Sequence, residues 1–146
     1  MNREIKFRGK SLRCNTWVCG HYCRLNNTDY IILQPKSTAK DNEDESIITM
    51  AEEIDIKTLG EYIGLKDYKG QEVYEGDIIL SPWWDDEPQE VKFHKYGFKG
   101  LDIRQKIVHG RELYEGIDDL LEGCFGEVFE VIGNIHDNPE LLEGEW

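Results

Sequence analysis

Ile5 and Phe7 alternate with Glu4, Lys6 and Arg8, a period of two that predicts a strand with one buried face. Gly9-Lys10-Ser11 reads as a turn, and residues 17–25 read as a second strand. Asn26-Asn27-Thr28-Asp29 is a strong turn signal ahead of the apolar run at 30–34, so the chain opens as a three-stranded meander. Between 35 and 46 the sole hydrophobic residue is Ala39, set among Asp41, Glu43, Asp44 and Glu45, which predicts a solvated loop. Residues 47–56 fit either strand or helix; the favoured reading is a short strand at 47–50 and an extended stretch to Ile56. Residues 57–62 are expected to form one helical turn before Gly64.

Asp67-Tyr68-Lys69-Gly70 predicts a tight turn, with Gly70 where positive φ is cheap. Short strands follow at 71–74 and 78–80, separated by Gly76 and ended by Pro82. Beyond the loop at 83–88, residues 90–94 form a strand with Val91 and Phe93 inward, and Tyr96-Gly97-Phe98 bends the chain into 101–104. Leu113, Ile117, Leu120 and Leu121 recur at helical spacing opposite Glu112, Glu115, Asp118, Asp119 and Glu122, which predicts a helix over 111–122. Residues 128–135 are the last core strand, and Pro139 starts a final turn.

These elements make a mainly β, β-rich α+β chain whose short, bent strands suit a small barrel. At 146 residues and 39% apolar composition the expectation is one domain over 1–146 with a real core. Within it, 1–56 holds the N-terminal strands and acidic loop, and 57–146 holds the barrel part and the helix. No apolar run approaches the ~20 residues of a membrane span, and residues 1–8 lack the apolar stretch of a signal peptide. The expected location is therefore the cytoplasm of whatever cell makes it.

Charge divides the chain further. Residues 1–24 carry six basic side chains against Glu4 (+5), whereas the other 122 residues carry 11 basic and 29 acidic ones (−18). Such a body repels phosphate, so nucleic-acid binding is disfavoured except through a basic N-terminal patch of Arg3, Lys6, Arg8 and Arg13.

Candidate chemistry is sparse. Trp17, Cys19, His21 and Cys23 fall on one face of the second strand, but Cys19 and Cys23 are then about 13 Å apart. One tetrahedral zinc does not reach both from a straight strand, so ordinary half-buried thiols are expected. Asp67 and Asp77 read as turn caps, with Asp77 aimed at backbone amides, rather than as a carboxylate cluster with Glu75. His94, His109 and His136 lie far apart, and neither GxSxG, GxGxxG nor HExxH occurs. The reading assigns no catalytic residue, metal ligand or cofactor. Trp83, Trp84, Asp85 and Asp86, with Tyr96 nearby, place aromatics beside acids in a loop, a composition suited to protein recognition.

Several blocks in order resemble the YopX-like phage and prophage family. They are Arg3-Glu4-Ile5-Lys6-Phe7-Arg8-Gly9, Trp17-Val18 followed by Gly20, and the run from Gly60-Glu61-Tyr62-Ile63-Gly64-Leu65-Lys66-Asp67 through Gly70 to Val73-Tyr74-Glu75-Gly76-Asp77-Ile78. Near the end, Glu130-Val131-Ile132-Gly133-Asn134-Ile135 and Asn138-Pro139-Glu140-Leu141-Leu142 are similar too. The resemblance implies a small SH3-like barrel of phage origin and carries no activity. The chain departs from it in the acidic loop and at Cys19 and Cys23, where aromatic or aliphatic residues are expected.

The function expected is a non-enzymatic phage or prophage protein–protein interaction module, its partners a second copy of itself and an unidentified host or phage protein. The alternatives are an acidic DNA mimic that blocks a host DNA-binding protein, and nucleic-acid binding through the basic N-terminal strand.

Overall fold

The computed structural model describes residues 4–33, 50–80, 88–94, 97–102, 114–116 and 129–143. Its contacts divide the chain into two compact units, Met1–Glu61 and Tyr62–Trp146. The chain is mainly β: ten antiparallel strands and one short 3-10 helix lie among the described residues.

In the first unit β1 (Phe7–Ser11), β2 (Trp17–Leu25), β3 (Thr28–Leu33) and the first part of β4 (Met50–Lys66) pair in sequence order. β1 also pairs with β4, through Phe7–Glu61 and Ser11–Ile54, so the circuit of pairing among the four strands closes. Ile31 and Ile54 are the buried apolar residues among the described residues of this unit. The β2–β3 hairpin turns on Asn26 and Asn27, both at positive φ, a conformation asparagine tolerates better than most residues. Gly20 is required by packing: a Cβ there would run into the Ile32 carbonyl.

Three expectations change here. Gly9-Lys10-Ser11 is strand rather than turn, because β1 is held on both edges. β3 begins at Thr28, inside the stretch that carries the turn signal. Residues 57–62 are not a helical turn but the middle of β4. A shift in the β1–β4 register between Arg8 and Lys10 is bridged by Thr58, whose Oγ1 accepts the Lys10 amide at 2.8 Å and donates to the Asp55 carbonyl at 2.6 Å.

In the second unit the end of β4 pairs with β5 (Glu72–Tyr74). A separate sheet runs β10–β6–β7–β8–β9, from β6 (Asp77–Leu80), β7 (Gln89–His94), β8 (Gly97–Asp102), β9 (Tyr114–Gly116) and β10 (Glu130–Asn134). Ile63, Val73, Ile79, Val91 and Phe129 form the core, with Leu65 and Val131 packed on it. Val91 is inward as expected, but Phe93 is 57% exposed.

The helix expected over 111–122 is corrected at its described centre. Tyr114–Gly116 is a strand, paired with β8 as Leu101–Tyr114, Gly100–Glu115 and Lys99–Gly116. The rest of that segment, and the acidic loop at 35–46, lie outside the described residues. Pro139 does open the closing 3-10 helix, Pro139–Leu142.

Candidate functional site

Alternation along β2 places Trp17, Cys19, His21 and Cys23 on one side of the first unit. The registers then fix their neighbours: Arg8 lies beside Cys19, Lys10 beside Trp17, Ile32 beside His21 and Tyr30 beside Cys23. β4 extends two of these rows, with Ala51 beside Ile32 and Glu53 beside Tyr30. The opposite side carries Ile31 and Ile54, so this second face is the outer one. None of Cys19, His21, Cys23, Tyr30, Ile32 and Ala51 is buried.

Beside this face the cations are clustered on an aromatic ring. The Arg8 guanidinium lies 4.4 Å from the centre of a Trp17 ring and the Lys10 ammonium 5.4 Å from it. Cation–π contacts of this kind hold charge close to an apolar plane. Arg8 itself is buried at 8% exposure, which leaves little of its guanidinium open to a ligand.

The other basic residues of the expected patch are dispersed onto carboxylates. Arg13 donates to Glu52 at 3.2 Å, and the Ser11 hydroxyl donates to the same Glu52 oxygen at 2.6 Å. The Ser11 hydrogen bond, with Arg13 adding to it, holds the Glu52 carboxyl below its ordinary value. Arg13 is raised in turn, chiefly by its hydrogen bond to Glu52. Lys6 sits 3.6 Å from Glu4, and Arg24 pairs with Asp29 at 3.4 Å. Tyr22 donates to the same Asp29 at 2.6 Å, and that hydrogen bond raises the phenol. Arg3 lies outside the described residues.

Asp67 and Asp77 cap turns, as expected. Asp67 accepts the Lys69 and Gln71 amides through Oδ1, at 2.9 and 2.8 Å, and the Val131 amide through Oδ2 at 3.1 Å. Asp77 accepts the Tyr74 amide at 2.8 Å around Gly76, whose φ is +93°. Both carboxylates are buried and committed to backbone donors, which is structural work.

Trp83, Trp84, Asp85, Asp86 and Tyr96 lie outside the described residues, as do His109 and Cys124. Cys14 and Cys19 are exposed free thiols and Cys23 is a half-buried one. Among the described residues no three His, Cys, Asp or Glu side chains converge in a way that would hold a metal ion. No helix among them is long and apolar enough to cross a membrane.

Lys10, Tyr30, Ile32 and Ala51 were not singled out from sequence. For Tyr30 and Ile32 the signal is the two-residue turn at Asn26-Asn27, which fixes the β2–β3 register and so sets Cys23 opposite Tyr30, whereas Lys10 and Ala51 follow only from the pairings of β1 and β4.

No match exists among curated proteins. The crystal structure of protein EF1440 from Enterococcus faecalis is similar over 97% of this chain and 100% of that one, with a TM-score of 0.52 and 20% sequence identity. At that identity the likeness concerns the fold alone. The sequence pattern of the YopX protein family matches residues 6–143, nearly the whole length. The chain belongs to the YopX protein family.

Proposed function

We propose that the protein is a non-enzymatic interaction module of a phage or prophage, acting in the cytoplasm of the host cell and built around a small SH3-like barrel. The observation that carries this reading is the outer face of β2, β3 and β4. Six neighbouring residues there, mostly apolar or thiol-bearing, are left unburied on a sheet whose other side already holds the core. A regular sheet face of this composition suits contact with another protein surface. The aromatic and acidic loop of Trp83, Trp84, Asp85 and Asp86, with Tyr96, stays in the proposal as a second contact on compositional grounds.

The test is capture from host lysate by the full chain beside its Ala51→Arg variant. Capture of a protein by the parent and its loss in the variant supports the reading. Equal capture by both removes the face from it.

The DNA-mimic reading is favoured by one specific feature. Residues 62–146 carry 8 basic and 20 acidic side chains, a balance of −12 out of −13. Against it, Asp67, Asp77 and Glu90 are buried, so these three carboxylates do not contribute to an acidic surface. Competition by duplex DNA for a captured partner distinguishes the two readings. Nucleic-acid binding through the N-terminal strand has less support, since Lys6 and Arg13 already face carboxylates. Salt-sensitive gel retardation, lost on Lys10→Ala, would revive it.

A further inference from the structure

We infer that the outer edge of β10 is closed against strand addition by two turns of its own unit, one carried by Asp67 and one by Asn138. β10 stands at one end of the second sheet, and among the described residues β6 is its one strand neighbour. An end strand with unspent amides and carbonyls is a template for a strand of another chain, the geometry by which extended peptides join a sheet. On β10 that template is already occupied.

The first turn covers the start of the strand. The Tyr68 amide donates to the Phe129 carbonyl at 3.2 Å, and the Val131 amide donates to Asp67 Oδ2 at 3.1 Å. In an extended chain residues 129 and 131 direct their backbone groups to the same edge, and with Val131 spent on Asp67 that edge is the one away from β6. Lys69 adds a charge pair beside them, its ammonium 2.7 Å from Glu130, and charged side chains are a recurrent way of blunting an edge. Asp67 does more here than cap its turn. Oδ1 suffices for the cap, accepting the Lys69 and Gln71 amides, while Oδ2 reaches 64 residues along the chain to the edge strand.

The second turn covers the end of the strand. Asn138 Oδ1 accepts the Asn134 amide at 3.2 Å, and the Asn138 amide donates to the Asn134 carbonyl at 2.9 Å. This close approach depends on Gly133, where a Cβ would meet Asn138 Oδ1 at 2.5 Å and Leu141 Cδ1 at 2.9 Å. Between the two turns the register with β6 shifts, from Val131 to Gly133. An irregularity there breaks the even spacing that an added strand needs. The inference does not depend on the interaction-module reading; it removes the β10 edge from the surfaces through which such a module recruits a partner.

The experiment compares the full chain with Asp67→Ala and Asn138→Ala by sedimentation equilibrium over a concentration series. Reducing conditions and high salt are used, the salt to screen the net charge of −13. Each variant is expected to self-associate at concentrations tenfold or more below those the parent needs. Hydrogen exchange at the Val131 amide gives the second reading in Asp67→Ala. It should be fast in dilute solution and slow again as concentration rises, because a strand of another copy then takes the place of Asp67. Thr58→Val removes a buried hydrogen bond of the first unit and should associate as the parent does, which separates a bared edge from a weakened fold. If circular dichroism shows Asp67→Ala unfolded, Asn138→Ala carries the test, read at the Asn134 amide. Folded variants that associate no more than the parent, exchange that stays fast at every concentration, or equal association in Thr58→Val overturns the inference.

Discussion

The Lys10 amide donates to Thr58 Oγ1 at 2.8 Å, joining β1 to β4 across a break in their register. Thr58 is 8% exposed and also donates to the Asp55 carbonyl at 2.6 Å, so one hydroxyl serves two backbone groups. Thr58→Val keeps the shape and the β-branch but strands both partners. A loss of about 1–3 kcal/mol is expected in urea unfolding, the usual cost of leaving buried polar groups unpaired. Thr58→Ser should recover most of it.

Asp67 ties its own turn to β10 by accepting three amides. Asp67→Ala removes both acceptor oxygens, and with them all three hydrogen bonds, and is expected to cost about 2–4 kcal/mol, at the upper end of single substitutions. Hydrogen exchange at the Val131 amide should accelerate with it. Asp67→Asn retains one carbonyl oxygen and should fall between the two. Equal protection of Val131 in all three proteins would contradict the assignment.

Two glycines should respond differently to alanine. At Gly20 a Cβ meets the Ile32 backbone carbonyl, which has nowhere to yield within a paired strand, so Gly20→Ala should severely destabilise the first unit. At Gly70 nothing lies within 4 Å, and only the φ of +84° opposes a side chain. Gly70→Ala should therefore cost only about 1 kcal/mol. Parallel thermal melts of the two variants check the contrast.

The first unit should lose stability at both ends of the pH scale. Glu52 is depressed by the Ser11 hydroxyl and Arg13, so its contribution is present above the unfolded carboxyl value and is lost as pH falls through the folded one. Tyr22 is raised by its hydrogen bond to Asp29, so its contribution is present below the unfolded phenol value and is lost as pH rises through the folded one. Ser11→Ala should reduce the acid-side loss and Tyr22→Phe the alkaline one, each read from urea midpoints across pH.

Much of the architecture was legible because it is written in local signals. The alternation of β2, the turn chemistry of Asn26-Asn27 and Asp67–Gly70, the capping role of Asp77 and the start at Pro139 all rest on neighbouring residues. What escaped depends on distant partners. Gly9 looks like a turn residue until Ile54 is packed against it: a Cβ there would meet Ile54 Cδ1 at 2.6 Å. Lys57 to Tyr62 looks helical until the Lys10 amide, 48 residues before Thr58, and the pairing with β1 are supplied. Tyr114 and Glu115 fall within the segment that helical spacing marks out, yet the backbone of β8 claims them as a strand. The outer face was half legible: its β2 residues followed from alternation, and its β3 and β4 residues only from register.

The closed circuit of β1 through β4 has a consequence for the order in which the chain matures. The β2–β3 hairpin needs a two-residue turn and forms on a timescale of about 1–10 μs. β1 waits for its second neighbour until residues 54–61 leave the ribosome, at roughly 5–20 residues per second. For those seconds the nascent meander presents two open strand edges and an uncovered Ile31. On a crowded polysome, that interval is when β4 of a neighbouring chain can take the place of the chain's own.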